Sequence, residues 1–214
     1  RVDAMNHIID PEWTQLSKPD EASLTVEILM NMTTGMDETL RQQGQTGTDW
    51  AYNNVAYQKL KEALTVQTGL ELNTLTQQWL FEPLGITDSS WITRPEDDAG
   101  HAFSALQTTA DALRRVGEAL LQDQLVDSFY REALGTPSSS TNPAWHLLWW
   151  NNQAQIHMRP GVEQIFPKPL LPHAPSDLIS ARGAGGNHLS ISADLDLVIA
   201  QTIDPTSKRT PPTG

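Results

Sequence analysis

The 214-residue chain contains no cysteine. Disulfides, a thiol nucleophile and cysteine-ligated zinc are thereby excluded, although the compartment stays open, since Cys-free chains occur in reducing and oxidising surroundings alike. Positive charge is also scarce: 14 Lys and Arg stand against 26 Asp and Glu, a formal net charge of −12. Such a field repels phosphate backbones and anionic lipid, so neither nucleic acid nor a membrane surface is an expected partner. No apolar run approaches the roughly 18 residues of a bilayer span. The N-terminus has no charged-then-apolar signal segment. The six histidines (His7, His101, His146, His157, His173 and His188) never fall at HxxxH or HxH spacing, so they read as surface or packing residues and no metal or other cofactor is expected.

What remains is globular composition, 38% hydrophobic with seven Trp and 19% charged, in a length that fits one domain with a substantial core. The first two-thirds reads as helical. Leu24, Ile28, Leu29 and Met32 recur at helical spacing, with Ser23 or Thr25 as the cap and Gly35 as the stop. Ala56, Leu60, Ala63 and Leu64 form a stripe ending at Gly69. A shorter helix is expected from about Thr74 to Pro83, another from about Thr109 along Leu113, Val116 and Leu120, and a last one from about Asp123 to Leu134.

After the turn-rich Thr136–Pro143 the pattern changes. Ala144–Trp150 (AWHLLWW) suits one strand buried on both faces, and the five prolines between Pro160 and Pro175 predict an irregular excursion. Strands are expected over about His188–Ser192 and Leu195–Thr202, joined as a hairpin near Asp194, with a strand also before the glycine loop. The boundaries expected are a mostly helical region over 1–142, sheet strands over 143–204 and a disordered tail over 205–214. Helices first and antiparallel strands last indicate an α+β fold. Three short strands leave open edges, to be completed by strands from upstream or by another chain.

Two segments hold candidate chemistry. In DWAYNNVAY (Asp49–Tyr57), either Asn53 or Asn54 can cap the helix while Tyr52 packs; alternatively Tyr52 is a proton-transferring phenol with Asn54 as its amide partner. The second reading needs a nearby cation, because a phenol of pKa about 10 is otherwise protonated at neutral pH. Lys59 and Lys61 lie further along the helix and are expected to be solvated. In ARGAGGNH (Ala181–His188) the glycines permit a bulge at a sheet edge or expose backbone N–H groups to an oxyanion; with no GK[ST], and a strand rather than a helix following, a phosphate cradle is not expected.

These segments, in their order along the chain, resemble the serine β-lactamase-like hydrolases. LTVEILMNMTTGM (Leu24–Met36), the Tyr52–Trp91 stretch with its Y-x-N and FEPLG blocks, GHAFSALQTTADALRRVGEALL (Gly100–Leu121), NPAWHLLWW and ARGAGGNHLSISADLDLVIAQT together cover about Leu24–Thr202. The last two are similar to the branch that includes carboxylesterases and 6-aminohexanoate-dimer hydrolase. The resemblance implies an antiparallel sheet flanked by helices, with a cleft between sheet and helical region, and an S-x-x-K serine nucleophile that attacks a small ester or amide. It also implies that Tyr52 is the base, that Asn54 is a substrate-binding amide, and that Arg182, Gly183, Ala184 and Gly185 lie by the oxyanion and substrate edge.

The sequence departs from that pattern in three places. No Ser in the 214 residues has Lys three positions later, the usual Lys or His of the third motif is absent although Arg182 is close by, and Asn187 replaces the usual Gln. With Arg1 rather than Met first, the expectation is a processed or truncated polypeptide, inactive by itself, whose nucleophile segment lies upstream. The alternatives are a non-catalytic relative that binds a peptide or cell-wall ligand, and a subunit completed by another chain.

Overall fold

In the computed structural model, residues 4–96, 100 and 102–203 are described. Among them, six α-helices and nine β-strands follow in the order α1 (Lys18–Ala22), α2 (Val26–Met30), α3 (Asn54–Thr68), α4 (Leu72–Thr76), β1 (Ser90–Thr93), β2 (Ser104–Gln107), α5 (Ala110–Leu121), α6 (Ser128–Gly135), β3 (Trp145–His146), β4 (Trp149–Asn151), β5 (His157–Arg159), β6 (Val162–Phe166), β7 (Ile179–Arg182), β8 (His188–Ser192) and β9 (Leu197–Gln201). The expected tail over 205–214 lies outside the described residues. The mixed α+β architecture follows the pattern read from the sequence.

Local chemistry explains the helix boundaries. The Thr25 and Thr109 hydroxyls accept from the N–H groups of Ile28 and Ala112, and Asn53 and Asp127 cap α3 and α6 in the same manner. Gly69 closes α3 in the left-handed conformation at φ 67°. Gly35 does not end α2, contrary to the sequence reading: the helix stops at Met30, and Met32 already turns the chain at φ 56°. Gly35 instead permits a close approach, since a Cβ there would sit 2.6 Å from the Gly44 carbonyl oxygen. The fourth helix begins at Leu72, two residues earlier than expected, and continues as a π-helical turn over Gln77–Phe81. The last begins later than expected, after Asp127, and Asp123 pairs with Arg131 at 2.8 Å from outside it.

The central sheet is antiparallel and five-stranded, in the order β3-β4-β7-β8-β9. Ile179, Ile191 and Val198 are cross-strand partners, as are Ala181, Leu189 and Ala200. These two rows make one apolar face on which Val116 and Leu120 of α5 pack. A second core of Met5, Leu24, Leu29, Met36 and Leu60 holds α2 and α3 together.

Three strand expectations change. AWHLLWW is not one strand but the tight hairpin β3–β4, with Leu147 and Leu148 turning at φ 50° and 70°, the doubly left-handed geometry that matches strand twist in a two-residue turn. The Pro-rich segment holds the tail of the small hairpin β5–β6, which turns at Gly161 (φ 73°). A separate hairpin, β1–β2, lies before the central sheet and pairs Trp91 with Leu106.

Candidate active site

The chain enters α3 in extended form. Trp50 N–H donates to the Thr141 hydroxyl at 2.8 Å and Ala51 N–H to the Met32 carbonyl at 2.9 Å, so the backbone leading into Tyr52 is tied to two distant segments. Asn53 then does the capping. Its Oδ1 accepts from Ala56 N–H at 2.9 Å, while its Nδ2 donates to the carbonyls of Met36 (3.2 Å) and Asp37 (2.7 Å). With 1% of its surface exposed, Asn53 is a structural residue. Asn53→Ala should lower stability by about 2–4 kcal/mol, combining a lost cap with two buried acceptors left without their donor. Urea denaturation with an unchanged m-value is the check.

With Asn53 occupied, its two neighbours are left over. Tyr52 is half-buried, its ring edge-on to Trp145 (centroids 5.9 Å, 89°) and tilted against Trp50 (6.4 Å). Trp150 completes this cluster, 4.9 Å from Trp145 and 6.1 Å from Trp50. The rings wall the phenol on its inner side, but its hydroxyl makes no hydrogen bond among the described residues and is not among the buried atoms that lack partners, so it reaches solvent. Burial pushes its pKa up and the Glu38 carboxylate pushes it further. Asn54, the first residue of α3, is partly exposed, and its amide has no hydrogen-bond partner among the described residues.

The expectation that Lys59 and Lys61 are solvated fails for Lys61. Lys59 pairs with Glu62 at 2.7 Å, but Lys61 is only 9% exposed and turns toward β1–β2 rather than toward Tyr52. Lys61 sits beside Leu60 and four residues after Tyr57, on the helix's inward stripe, a placement that becomes burial only because β1–β2 covers it.

The glycine loop leaves β7 at Arg182. Gly183 N–H donates to the Asn187 carbonyl at 2.9 Å, so it is already engaged and unavailable to a ligand. Asn187 staples the loop, donating from Nδ2 to the Ala184 carbonyl (2.9 Å) and accepting Ile203 N–H (2.8 Å) at Oδ1. Gly185 and Gly186 turn at φ 91° and 98°, which favours glycine. Arg182, Gly183 and Ala184 are exposed and Gly185 is partly so. The Arg182 guanidinium pairs with no carboxylate among the described residues.

No described contact joins Tyr52 or Asn54 directly to Arg182–Gly185. The link runs through tryptophan: Trp145 lies edge-on to Tyr52 and faces Trp150 across β3–β4, and Trp150 is opposite Ser180, two residues before Arg182. Beside this cluster a crevice of about 170 Å³ is lined by Gly35, Gln43, Gly44, Asp49, Trp50 and Ala51. Among the described residues no group of His, Asp or Glu side chains could hold a metal ion, and no helix is long and apolar enough to cross a membrane.

The Beta-lactamase family model matches residues 9–200. The chain belongs to the β-lactamase family. Members of this family are usually serine hydrolases. Solved structures agree on the fold. A candidate β-lactamase from Bacteroides dorei DSM 17855 is similar at 15% identity and TM-score 0.66, over 94% of this chain and 70% of its own. A candidate 6-aminohexanoate-dimer hydrolase from Bacillus anthracis is similar at 16% identity and TM-score 0.62, over 92% of this chain and 61% of its own. The octameric penicillin-binding protein homologue from Pyrococcus abyssi gives 14% and 0.62, over 93% and 55%. The chain thus spans between about half and 70% of the length of these relatives. No curated protein matches it.

Proposed function

We propose that this chain is the larger part of a β-lactamase-like serine hydrolase that cleaves a small ester or amide through an acyl-enzyme, its nucleophile lying upstream of Arg1. The observation that carries the reading is the division of labour in Tyr52-Asn53-Asn54. One asparagine is consumed by the fold, while a packed phenol whose hydroxyl reaches solvent and an amide with no hydrogen-bond partner among the described residues flank it at a helix mouth.

A phenol raised by burial and by Glu38 is a poor base at neutral pH until a cation lowers it. An S-x-x-K lysine would supply that charge, and no S-x-x-K occurs in the 214 residues. In the complete site, Ser Oγ, relieved of its proton by Tyr52 and that lysine, bonds to the substrate carbonyl carbon. The alcohol or amine leaves with a proton, and water then releases the acid. Asn54 orients the substrate, with Arg182 and the exposed Ala184–Gly185 turn at its far edge and the turn's N–H groups on the oxyanion.

Covalent labelling with a fluorophosphonate tests this. The protein expressed with its native upstream sequence should gain one adduct by intact mass, on a serine outside residues 1–214, and the 214-residue chain should gain none. An adduct within 1–214, or an upstream sequence without S-x-x-K, would overturn the reading. The latter result would favour the second reading, a non-catalytic relative that binds a peptide or cell-wall ligand in the same cleft.

A further inference from the structure

Lys61 is a buried cation that reaches from one element to another. Its Nζ donates to the Ser104 carbonyl at 2.6 Å and to Gln58 Oε1 at 3.1 Å, and lies 4.5 Å from the centre of the Trp91 ring and 5.0 Å from that of Tyr57. Among the described residues no carboxylate lies within salt-bridge distance of it. Two of these partners belong to α3 itself. The other two belong to the hairpin, Trp91 on β1 and Ser104 on β2, so one nitrogen links β1–β2 to the helix that opens with Tyr52. The hairpin is also tied to α4, with Trp91 Nε1–H donating to the Thr76 hydroxyl at 2.9 Å and Trp91 N–H donating to Asn73 Oδ1 at 2.7 Å.

We propose that Lys61 makes the β1–β2 hairpin a proton-linked strap on α3, one that loosens when Lys61 carries its proton into water and tightens when the amine is neutral. The fastening bears on the candidate site because Tyr57, beneath the ammonium, packs in the same aromatic cluster as Tyr52. It does not depend on the hydrolase reading.

The sign follows from what surrounds the nitrogen. Burial lowers the Lys61 pKa to about 8 from the usual 10.5, because desolvation disfavours the charged form. The docked hairpin therefore binds this proton less tightly than the open one. Closing releases a proton between about pH 8 and 10.5, and docking strengthens as pH rises through that window. On α3, burial raises the Tyr57 pKa from its ordinary 10, and Lys59 and Glu62 are paired with each other; Trp91 of β1, Ser104 of β2, and Asn73 and Thr76 of α4 do not titrate; Arg94 and Glu96, beyond β1, make no described contact with Lys61.

Hydrogen exchange of the Trp91 indole and backbone N–H groups, followed by NMR from pH 7 to pH 9 and corrected for intrinsic exchange, reads the strap through Trp91, whose ring Lys61 touches and whose two N–H groups are bonded to α4 until the hairpin lifts. In the wild-type chain the opening constant should fall about tenfold over that range. Lys61→Arg, which keeps its charge, should be more open throughout and flat with pH; Lys61→Met should be tighter and flat. Amides of β7 and β8 should respond alike in all three. Parallel pH slopes in wild type and Lys61→Arg, or opening that grows with pH in the wild type, would overturn the proposal, and that comparison decides even if Lys61→Met does not fold.

Discussion

Tyr52→Phe is expected to lower kcat/KM for a short-chain ester by roughly 10²–10⁴-fold in the protein expressed with its upstream sequence, the range typical of a positioned general base. The substitution removes one oxygen and keeps the ring. Trp145 and Trp50 continue to pack against it, and no described group loses a hydrogen-bond partner. Stability should therefore stay within about 1 kcal/mol of wild type. That separation gives the test its force: a rate loss with an unchanged urea midpoint is chemistry, and a rate loss with a lowered midpoint is packing. The pH profile adds a second readout. A base must be deprotonated, so kcat/KM should rise with pH through the ionisation of Tyr52 as its cationic neighbour sets it. Because Glu38 raises that pKa, Glu38→Gln should move the rising limb to lower pH. A profile unmoved by Glu38→Gln, or a Tyr52→Phe enzyme that retains more than about a tenth of wild-type kcat/KM, would remove Tyr52 from the mechanism.

How much of this was legible in the sequence depended on how local the physics was. The ends of α3 were readable because Asn53 and Gly69 act within one turn, through a cap and a left-handed stop. The β8–β9 hairpin was readable because its strands are adjacent in the chain. Within Y-x-N, however, the sequence could not say which asparagine caps. The answer depends on the Met36 and Asp37 carbonyls, 17 and 16 positions upstream, accepting from Asn53. The Leu147–Leu148 turn was hidden for a different reason. Leucine carries no turn signal and disfavours positive φ, so the hairpin is imposed from outside, with Leu147 N–H donating to Asn31 Oδ1 and Leu148 N–H to the Met30 carbonyl. Lys61 was misread on the same ground: its burial requires a hairpin that starts 29 residues later, at Ser90.

Trp145→Ala should cost about 3–5 kcal/mol, the range of large aromatic truncations in a core, although Trp145 lies on a two-residue strand at the sheet's edge. Edge position alone would suggest tolerance. The packing says otherwise: Trp145 is 5% exposed and lies between Trp50, Tyr52 and Trp150, with centroids 6.1, 5.9 and 4.9 Å away. Its indole N–H also donates to the Met30 carbonyl at 3.0 Å, but that oxygen keeps a second bond from Leu148 N–H. The hydrogen-bond contribution is therefore small, about 0.5–1.5 kcal/mol, and the cavity dominates. Trp145→Phe, which leaves a ring in place and loses only the bond and part of the volume, should accordingly retain most of the stability. Urea unfolding followed by circular dichroism separates the two, and a loss below about 1 kcal/mol for Trp145→Ala would mean that the cluster collapses freely around the gap. Trp145 also bridges Tyr52 to the β4–β7 pairing that leads to Arg182, so its removal uncouples the two halves of the candidate site. In the complete protein, Trp145→Phe should then depress kcat/KM more than its stability loss accounts for, a difference visible when both are measured at a temperature where the variant is fully folded.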